Sequence, residues 1–317
     1  MPHSIRAVTL IWPFGLLPVL SMLWVWDLTW GGEQIRDALP RSPQSLLLFS
    51  LFFGLPHIIA GHIALLDREY YGAYRHDIRR TGSLALLLAL LTAVALPPAL
   101  GLLLFNVITV HHTCGQQIGM ARGLMRSQAP RLHAAWRACS LALVVAVSLA
   151  MFVPGLMHAD PGRARALWGA IEMGVLVSTG LAIALIQRQP RRGGWIYIAC
   201  TQCLFVLCAQ FALTGYYLFA ALAPQVVHDL NAYAMYIRHD QARRREQPQA
   251  NALYRWLRVP ASAIPLVLPM LASGMAFMMA NSMLQIVGLW CSYLHYLLEA
   301  TLWKRGSPHR RHVGFAP

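Results

Sequence analysis

Residues 82–120 read GSLALLLALLTAVALPPALGLLLFNVITVHHTCGQQIGM. Two apolar stretches, 82–96 and 99–120, flank the pair Pro97-Pro98, and neither stretch contains Asp, Glu, Lys or Arg. Long uncharged apolar runs are typical of membrane-spanning helices, and proline disfavours a helical conformation at the residue before it. The segment therefore predicts two membrane helices joined by a tight reversal.

The same pattern recurs along all 317 residues. The chain is 57% hydrophobic and only 12% charged, whereas soluble domains carry about 25% charged residues. The apolar segments lie at approximately 8–26, 45–66, 82–96, 99–120, 136–157, 167–187, 194–222, 224–241, 262–280 and 282–303. We therefore expect an all-α, polytopic transmembrane bundle of about ten spans, formed as a single integral membrane domain over residues 1–317.

The formal net charge of +14 has a distribution that favours a membrane over nucleic acid. The basic residues concentrate in every second connection between apolar segments, namely 67–81, 121–135, 188–192 and 238–258, and in the C-terminal tail. Basic residues collect in the cytoplasmic loops of membrane proteins. The alternation predicts that both termini are cytoplasmic, that the lipid bilayer is the principal partner, and that nucleic acid is not one.

Thirteen histidines divide into two groups. Six fall in predicted loops or tails, where we expect solvated surface residues: His3, His76, His133, His158, His309 and His312. The remaining histidines lie within predicted spans. Ionisable side chains inside a bilayer are costly and usually face the bundle interior with a partner or a function, so this second group contains the candidates for a site.

Of the seven histidines within predicted spans, all but His62 and His239 share a depth. Each lies nine to eleven residues before the first basic residue at the cytoplasmic end of its span. The sets are His57 with Arg68, His111 and His112 with Arg122, His228 with Arg238, and His295 with Lys304. At 1.5 Å per residue this is roughly 14–16 Å, which is half of a hydrocarbon core about 30 Å thick. Four parallel helices are thus predicted to offer imidazoles near the membrane midplane.

Polar neighbours add to the candidate site. His295 and Glu299, and likewise His112 and Gln116, are spaced i, i+4 and so share a helix face. Carboxylates and amides at that spacing orient imidazole ligands. Asp229 follows His228 but points about 100° away. The predicted metal ligands are His57, His62, His111, His112, His228 and His295, and Glu299 and Gln116 are the predicted catalytic or orienting groups.

Several chemistries suit such a set of imidazoles. Neutral imidazole binds iron, copper and zinc, and a non-haem iron bound mostly by histidine would keep positions open for dioxygen. Alternatively, two haem groups would each take a pair of axial histidines. A third alternative is a proton path through histidine and glutamate, as in a transporter.

The segment Phe53-Gly54-Leu55-Pro56-His57 resembles the Gly-x-Pro-His motif of the Brp/Blh family. Members of that family are bacterial membrane β-carotene dioxygenases, multi-span helical bundles that use histidine-bound iron. The resemblance implies that His57 is an iron ligand, with His111 or His112, His228 and His295 at the later positions. It also implies a multi-pass protein of the bacterial inner membrane.

These observations predict a membrane-embedded non-haem iron oxygenase. It would act on a lipophilic substrate with dioxygen, and an electron donor is an expected partner. Two alternatives remain: a haem b protein that transfers electrons across the membrane, and a proton-coupled transporter that uses intramembrane histidine and glutamate.

Overall fold

The computed structural model describes residues 4–40, 45–125, 129–152, 160–188, 192–279, 285–304 and 306–316. Within these ranges the chain is helical almost throughout, which confirms the helical class predicted from the apolar runs. One short two-stranded sheet pairs β1, Ser4–Arg6, with β2, Gly314–Ala316. The described chain is therefore helical with one small strand pair.

The α-helices of the described chain are of very different lengths. They are α1 Ala7–Ile11, α2 Leu16–Trp26, α3 Gln34–Ala38, α4 Leu47–Phe52, α5 Leu55–Ile63, α6 Arg68–Leu90, α7 Pro98–Met125, α8 Pro130–Phe152, α9 Pro161–Gln187, α10 Arg192–Leu213, α11 Tyr217–Glu246, α12 Ala252–Trp256, α13 Ile264–Met279, α14 Gln285–Leu302 and α15 Pro308–His312. Short 3₁₀ or π segments extend four of them: Trp12–Gly15 and Asp27–Gly31 flank α2, Ala64–Leu66 follows α5, Leu91–Ala95 continues α6, and Ala261–Ala263 leads into α13.

Seven segments of the described chain are long and apolar enough to cross a membrane, which indicates a membrane protein. They are Ala7–Gly31, Leu47–Leu66, Arg68–Ala95, Pro130–Met151, Pro161–Gln187, Arg192–Leu213 and Ala261–Met279. The long helices α7, α11 and α14 are not among these seven, and they carry His112, His228 and His295.

Two predicted irregularities coincide with helix boundaries. The break at Pro97-Pro98 is confirmed, because α6 and its π extension end at Ala95 and α7 begins at Pro98. The second span is interrupted at Gly54, whose φ of 65° lies in the left-handed region that glycine adopts without a steric penalty. The predicted break at Asn281-Ser282 lies outside the described residues.

The predicted reversal at Ala223-Pro224 is wrong. The chain turns eight residues before Ala223, between α10 and α11, where Gly215 has a φ of 85°. Pro224 lies inside α11. A proline is tolerated inside a membrane helix when neighbouring groups satisfy the backbone carbonyl that it leaves without a donor, and a glycine at positive φ permits the turn instead.

Two predicted basic loops, 67–81 and 238–258, are also largely helical. The Asp67 side chain begins α6 by accepting hydrogen bonds from the backbone N–H groups of Glu69 at 2.9 Å and Tyr70 at 3.4 Å. On α11, Arg243 reaches back to Asp67 at 2.8 Å and to Glu69 at 2.6 Å. Arg243 therefore ties the last turns of α11 to the start of α6.

The described chain divides into two compact units, and the boundaries fall inside α7 after Leu102 and inside α11 between His228 and Asp229. The first unit comprises residues 1–5, 46–102 and 229–316. Within it, α14 packs along α6 and against α5, and α13 packs against α5. The interrupted second span is thus enclosed by the last two long helices of the chain.

The second unit comprises residues 6–45 and 103–228. Within it, α9 packs along α8 and α10, and α1 packs against α10. Its interior is largely apolar, but Gln202 on α10 accepts a hydrogen bond from Trp136 Nε1 at 3.0 Å and donates to Ser178 Oγ at 2.9 Å. These three buried polar side chains therefore satisfy one another.

Candidate metal centre

His57 is positioned by the break in the second span. It lies in the first turn of α5, directly after Gly54 and Pro56, and only 4% of its surface is exposed. Its Nδ1 lies 3.0 Å from Asp229 Oδ1. The other oxygen of Asp229 accepts the Gly54 N–H at 2.6 Å. The carboxylate is therefore anchored to the start of α5, and it fixes the orientation of the imidazole beside it.

His295, on α14, lies close to His57 in the same unit. The two ring centres are 5.2 Å apart and the rings are nearly perpendicular, at 84°. Gly61 makes room for His295, because a Cβ at Gly61 would lie 3.1 Å from both Nδ1 and Cε1 of the imidazole. Close approach of α5 and α14 thus depends on the absence of a side chain at this position.

Glu299 follows His295 by one helical turn and shares its face. The Glu299 Oε2 lies 3.5 Å from His295 Nε2. Its Oε1 accepts hydrogen bonds from Tyr236 Oη at 2.8 Å and from Trp303 Nε1 at 3.1 Å. This buried carboxylate is therefore held by two donors while it faces the imidazole.

His112 and His228 form the corresponding pair in the second unit. Their ring centres are 5.0 Å apart and the rings are inclined at 80°. His228, on α11, is 1% exposed, and His112, on α7, is half-buried. His112 and His228 are therefore a second close pair of imidazoles.

The four imidazoles form a histidine cluster that could hold a metal ion. His57, His112, His228 and His295 each offer one ring nitrogen, and these four atoms lie within 4.8 Å of one another. Nitrogen ligands bound to one ion at about 2.1 Å lie roughly 3–4 Å apart. The separations are therefore close to those that a single bound ion requires, and the chemistry of the donors suits iron, copper or zinc.

The other predicted ligands, His62 and His111, are not part of this group of four. His62 Nε2 lies 3.0 Å from the carbonyl oxygen of Cys291, and its ring centre is 5.8 Å from that of His295. His111 is exposed, unlike the neighbouring His112. Gln116 is half-buried on α7, one turn after His112. Of the six histidines predicted as ligands, the structure brings together His57, His112, His228 and His295.

Sequence reasoning missed the role of Asp229. Its helical offset from His228 hides its contact with His57, which is made across two helices. The sequence does contain one indication, because a carboxylate within an apolar segment is costly and so predicts that Asp229 has a partner. It does not indicate which residue that partner is. Tyr236 and Trp303, which hold Glu299, carry no such signal because aromatic residues are common in apolar segments.

A separate set of histidines lies in the first unit, around His239 on α11. The Nε2 of His239 lies 2.9 Å from Tyr70 Oη, and its Nδ1 lies 2.7 Å from Asp240 Oδ1. Asp240 also accepts a hydrogen bond from Tyr254 Oη at 2.5 Å. Both nitrogens of His239 are thus engaged by protein groups, which argues against a role as a metal ligand.

Three predictions of solvated histidines are wrong. His309, on α15, is 1% exposed and stacks on His239 with ring centres 4.6 Å apart. His312 is buried beside Glu246, with Nδ1 3.1 Å from Oε2. His133 is buried on α8 near the carbonyl oxygen of Ile118. A polar tail can dock through aromatic stacking, which local sequence does not reveal.

The predicted loop residues His3 and His158 lie outside the described residues, and His76 is exposed, as predicted.

No protein family, no curated protein and no solved structure matches this chain. The function is therefore inferred from the residues of the site.

Proposed function

We propose that the protein is a membrane-embedded non-haem iron oxygenase that acts on a lipophilic substrate with dioxygen. The observation that carries the proposal is the cluster of four imidazoles, His57, His112, His228 and His295, of which His112 is half-buried and the others are buried, and whose ring nitrogens lie within 4.8 Å of one another. Imidazoles packed only for structure would have no reason to offer nitrogens to one shared point.

Buried carboxylates beside two of the imidazoles support metal binding. A histidine ligand commonly donates its other ring N–H to a carboxylate, which fixes the tautomer and strengthens the ligand. Asp229 Oδ1 lies 3.0 Å from Nδ1 of His57. Glu299 Oε2 lies 3.5 Å from Nε2 of His295. These residues orient the imidazoles and offset part of the charge of a bound cation.

The spacing within each histidine pair supports non-haem over haem iron. Two imidazoles on opposite faces of one haem have ring centres about 6 Å apart, because each nitrogen–metal bond is about 2 Å long. The centres are 5.2 Å apart for His57 and His295 and 5.0 Å apart for His112 and His228. Neither pair leaves space for a porphyrin plane between its rings.

Iron in this site would supply the one-electron chemistry that reaction with dioxygen requires. The protein itself supplies a buried, apolar environment that excludes water from the reacting groups. A lipophilic substrate enters from the bilayer between helices, and a separate donor supplies electrons.

The proposal includes ten spans, cytoplasmic termini and a location in the bacterial inner membrane. Besides the seven apolar segments, α7, α11 and α14 have 28, 30 and 18 residues. At 1.5 Å per residue each is at least about 27 Å long, close to the hydrocarbon thickness of about 30 Å. Their polar side chains suit helices that face the bundle interior.

Elemental analysis and an absorption spectrum of the purified protein test the proposal. We expect stoichiometric iron and no Soret band. Stoichiometric haem would favour the electron-transfer alternative, and zinc or no metal at all would exclude oxygenase chemistry at this cluster. A His76→Ala variant is the control, because His76 is exposed on α6 and should leave the metal content unchanged.

A further inference from the structure

A cavity of about 50 Å³ lies inside the second unit, enclosed by α7, α8, α10 and α11. From α7 it is lined by a single face that includes Thr109, Val110 and Cys114, and α10 contributes Cys208. The volume exceeds the 10–15 Å³ or so that a single water molecule needs. The cavity is therefore large enough for part of a ligand.

The lining of this cavity suits hydrocarbon. No charged side chain of the described chain lines it. The hydroxyl groups of Thr109 and Ser148 donate to carbonyl oxygens one turn earlier in their own helices, each at 2.8 Å. Asn106, Thr113 and Gln225 are the other polar residues of the lining, and apolar side chains and two thiols make up the rest. An apolar chain is the favoured occupant.

One polar atom in the lining indicates which chemical group the end of a bound ligand would carry. The Oε1 of Gln225, on α11, is buried and has no hydrogen-bond partner among the described residues. Gln225 precedes His228 by three residues, and Thr109 precedes His112 by the same interval, so these pairs share helix faces. Gln225 and Thr109 of the cavity therefore lie about one helical turn before His228 and His112.

We infer that this cavity binds the hydrocarbon chain of a neutral, hydroxylated lipid, with the hydroxyl group against Gln225. A hydroxyl both donates and accepts, so it satisfies the buried amide, whereas a carboxylate would introduce an uncompensated charge. The half-buried Val110 and Met151 also line the cavity, and Met151 ends a membrane-length segment. The lipid thus enters from the bilayer. Calling it a substrate rests on the proposed function.

Photocrosslinking in lipid nanodiscs tests this binding site. The probe is a long-chain primary alcohol with a diazirine in its chain, and crosslinked peptides are mapped by mass spectrometry. We expect crosslinks concentrated on the cavity faces of α7 and α8, around Cys114 and Val147. Unlabelled alcohol should compete about 5-fold better than the alkane of equal length, which is the ratio that one net hydrogen bond supplies.

Two variants separate the parts of the site. Val147→Trp fills the cavity and should abolish the concentrated crosslinks, and Ala221→Phe serves the same purpose if the first variant does not fold. Val19→Trp is the matched control, because Val19 is 53% exposed on α2 and its change should have no effect. Gln225→Leu should keep the crosslinks and lose the preference for alcohol over alkane.

Crosslinks spread evenly over lipid-facing helices, or unchanged in the filled variants, would overturn the inference. Equal competition by the alkane and the alcohol would overturn the role of the hydroxyl group and of Gln225. Metal content is measured on the same samples. Concentrated crosslinks in a protein without iron would leave the binding site standing while the oxygenase proposal fails, so the two failures are distinguishable.

Discussion

At the scale of single residues, the notable feature is that each orienting carboxylate is itself anchored. Asp229 accepts the Gly54 N–H while it faces His57. Glu299 accepts from Tyr236 and Trp303 while it faces His295. A buried carboxylate without donors would be protonated or would move. The anchoring donors therefore hold the charge, and hence the imidazoles, in place.

The first prediction concerns the four histidines as a unit. Replacing any one of His57, His112, His228 or His295 with Ala leaves an open coordination position in an apolar wall, and no other side chain replaces it. We expect each change to remove most of the bound metal, measured per folded protein by elemental analysis. Full metal content in folded His228→Ala or His295→Ala would contradict a shared site.

The second prediction separates orientation from ligation. Asp229→Asn and Glu299→Gln keep the side-chain shape and remove the charge, so they should weaken metal affinity by about 10–100-fold, which is less than removal of an imidazole. Affinity is measured by competition with a chelator. Asp240→Asn is the matched control, since Asp240 is equally buried but faces His239. Equal losses of metal affinity in Asp229→Asn and Asp240→Asn would indicate a general effect on folding.

At the scale of helices, close packing of α5 on α14 positions His295. The third prediction is that Gly61→Ala displaces the imidazole by a few tenths of an ångström, because the new Cβ would lie 3.1 Å from its Nδ1. Metal affinity should fall several-fold while the protein stays folded. Gly72→Ala on α6 meets no atom within 4 Å and should instead stabilise the helix by up to about 1 kcal/mol. Unchanged affinity in Gly61→Ala would show that the helices separate without disturbing the site.

The packing of α15 against His239 on α11 is expected to depend on pH. Burial, with the nearby His239 and His312, holds the pKa of His309 well below its ordinary value of 6.5. Arg243 acts in the same direction. Because the undocked segment binds a proton more readily, docking is fully stable above about pH 6.5 and weakens as the pH falls below it.

Hydrogen exchange of the peptide that contains α15, corrected for intrinsic rates, measures this fourth prediction. Protection should decrease between pH 7.5 and pH 5. A His309→Phe variant keeps an aromatic ring for stacking on His239 and should lose much of the pH dependence. An identical pH profile in that variant would assign the effect to another group, such as His312, whose pKa is also lowered by burial.

At the scale of the whole molecule, alternating basic segments predict orientation. Along the chain, α8 and α9 lie between Arg126 and Arg192. Arg192 begins α10, and Arg245 lies at the end of α11, the next long helix. The fifth prediction is that reporter fusions after all three residues report the cytoplasm, since basic loops are retained on that side. A periplasmic signal at any of them would remove a span from the count of ten and with it the shared depth of the histidines.

The sequence alone determined the helical membrane class, the helix break at Pro97-Pro98 and the set of histidines from which the cluster is drawn. These follow from hydropathy, backbone restriction and the cost of ionisable groups in lipid, which are local properties. The sequence analysis misplaced the reversal near Pro224. A proline marks a break only where neighbouring groups cannot satisfy the backbone carbonyl that the proline leaves without a donor.

Only the tertiary structure decided which polar groups meet. Asp229 pairs with His57, Glu299 is held by Tyr236, and the histidines of the C-terminal segment are buried against His239. Helix periodicity fixes which face a side chain occupies, but the partner of that face depends on how whole helices pack. Contacts between residues far apart in the chain follow from that packing, and for this reason the orienting carboxylate of His57 became visible only in the fold.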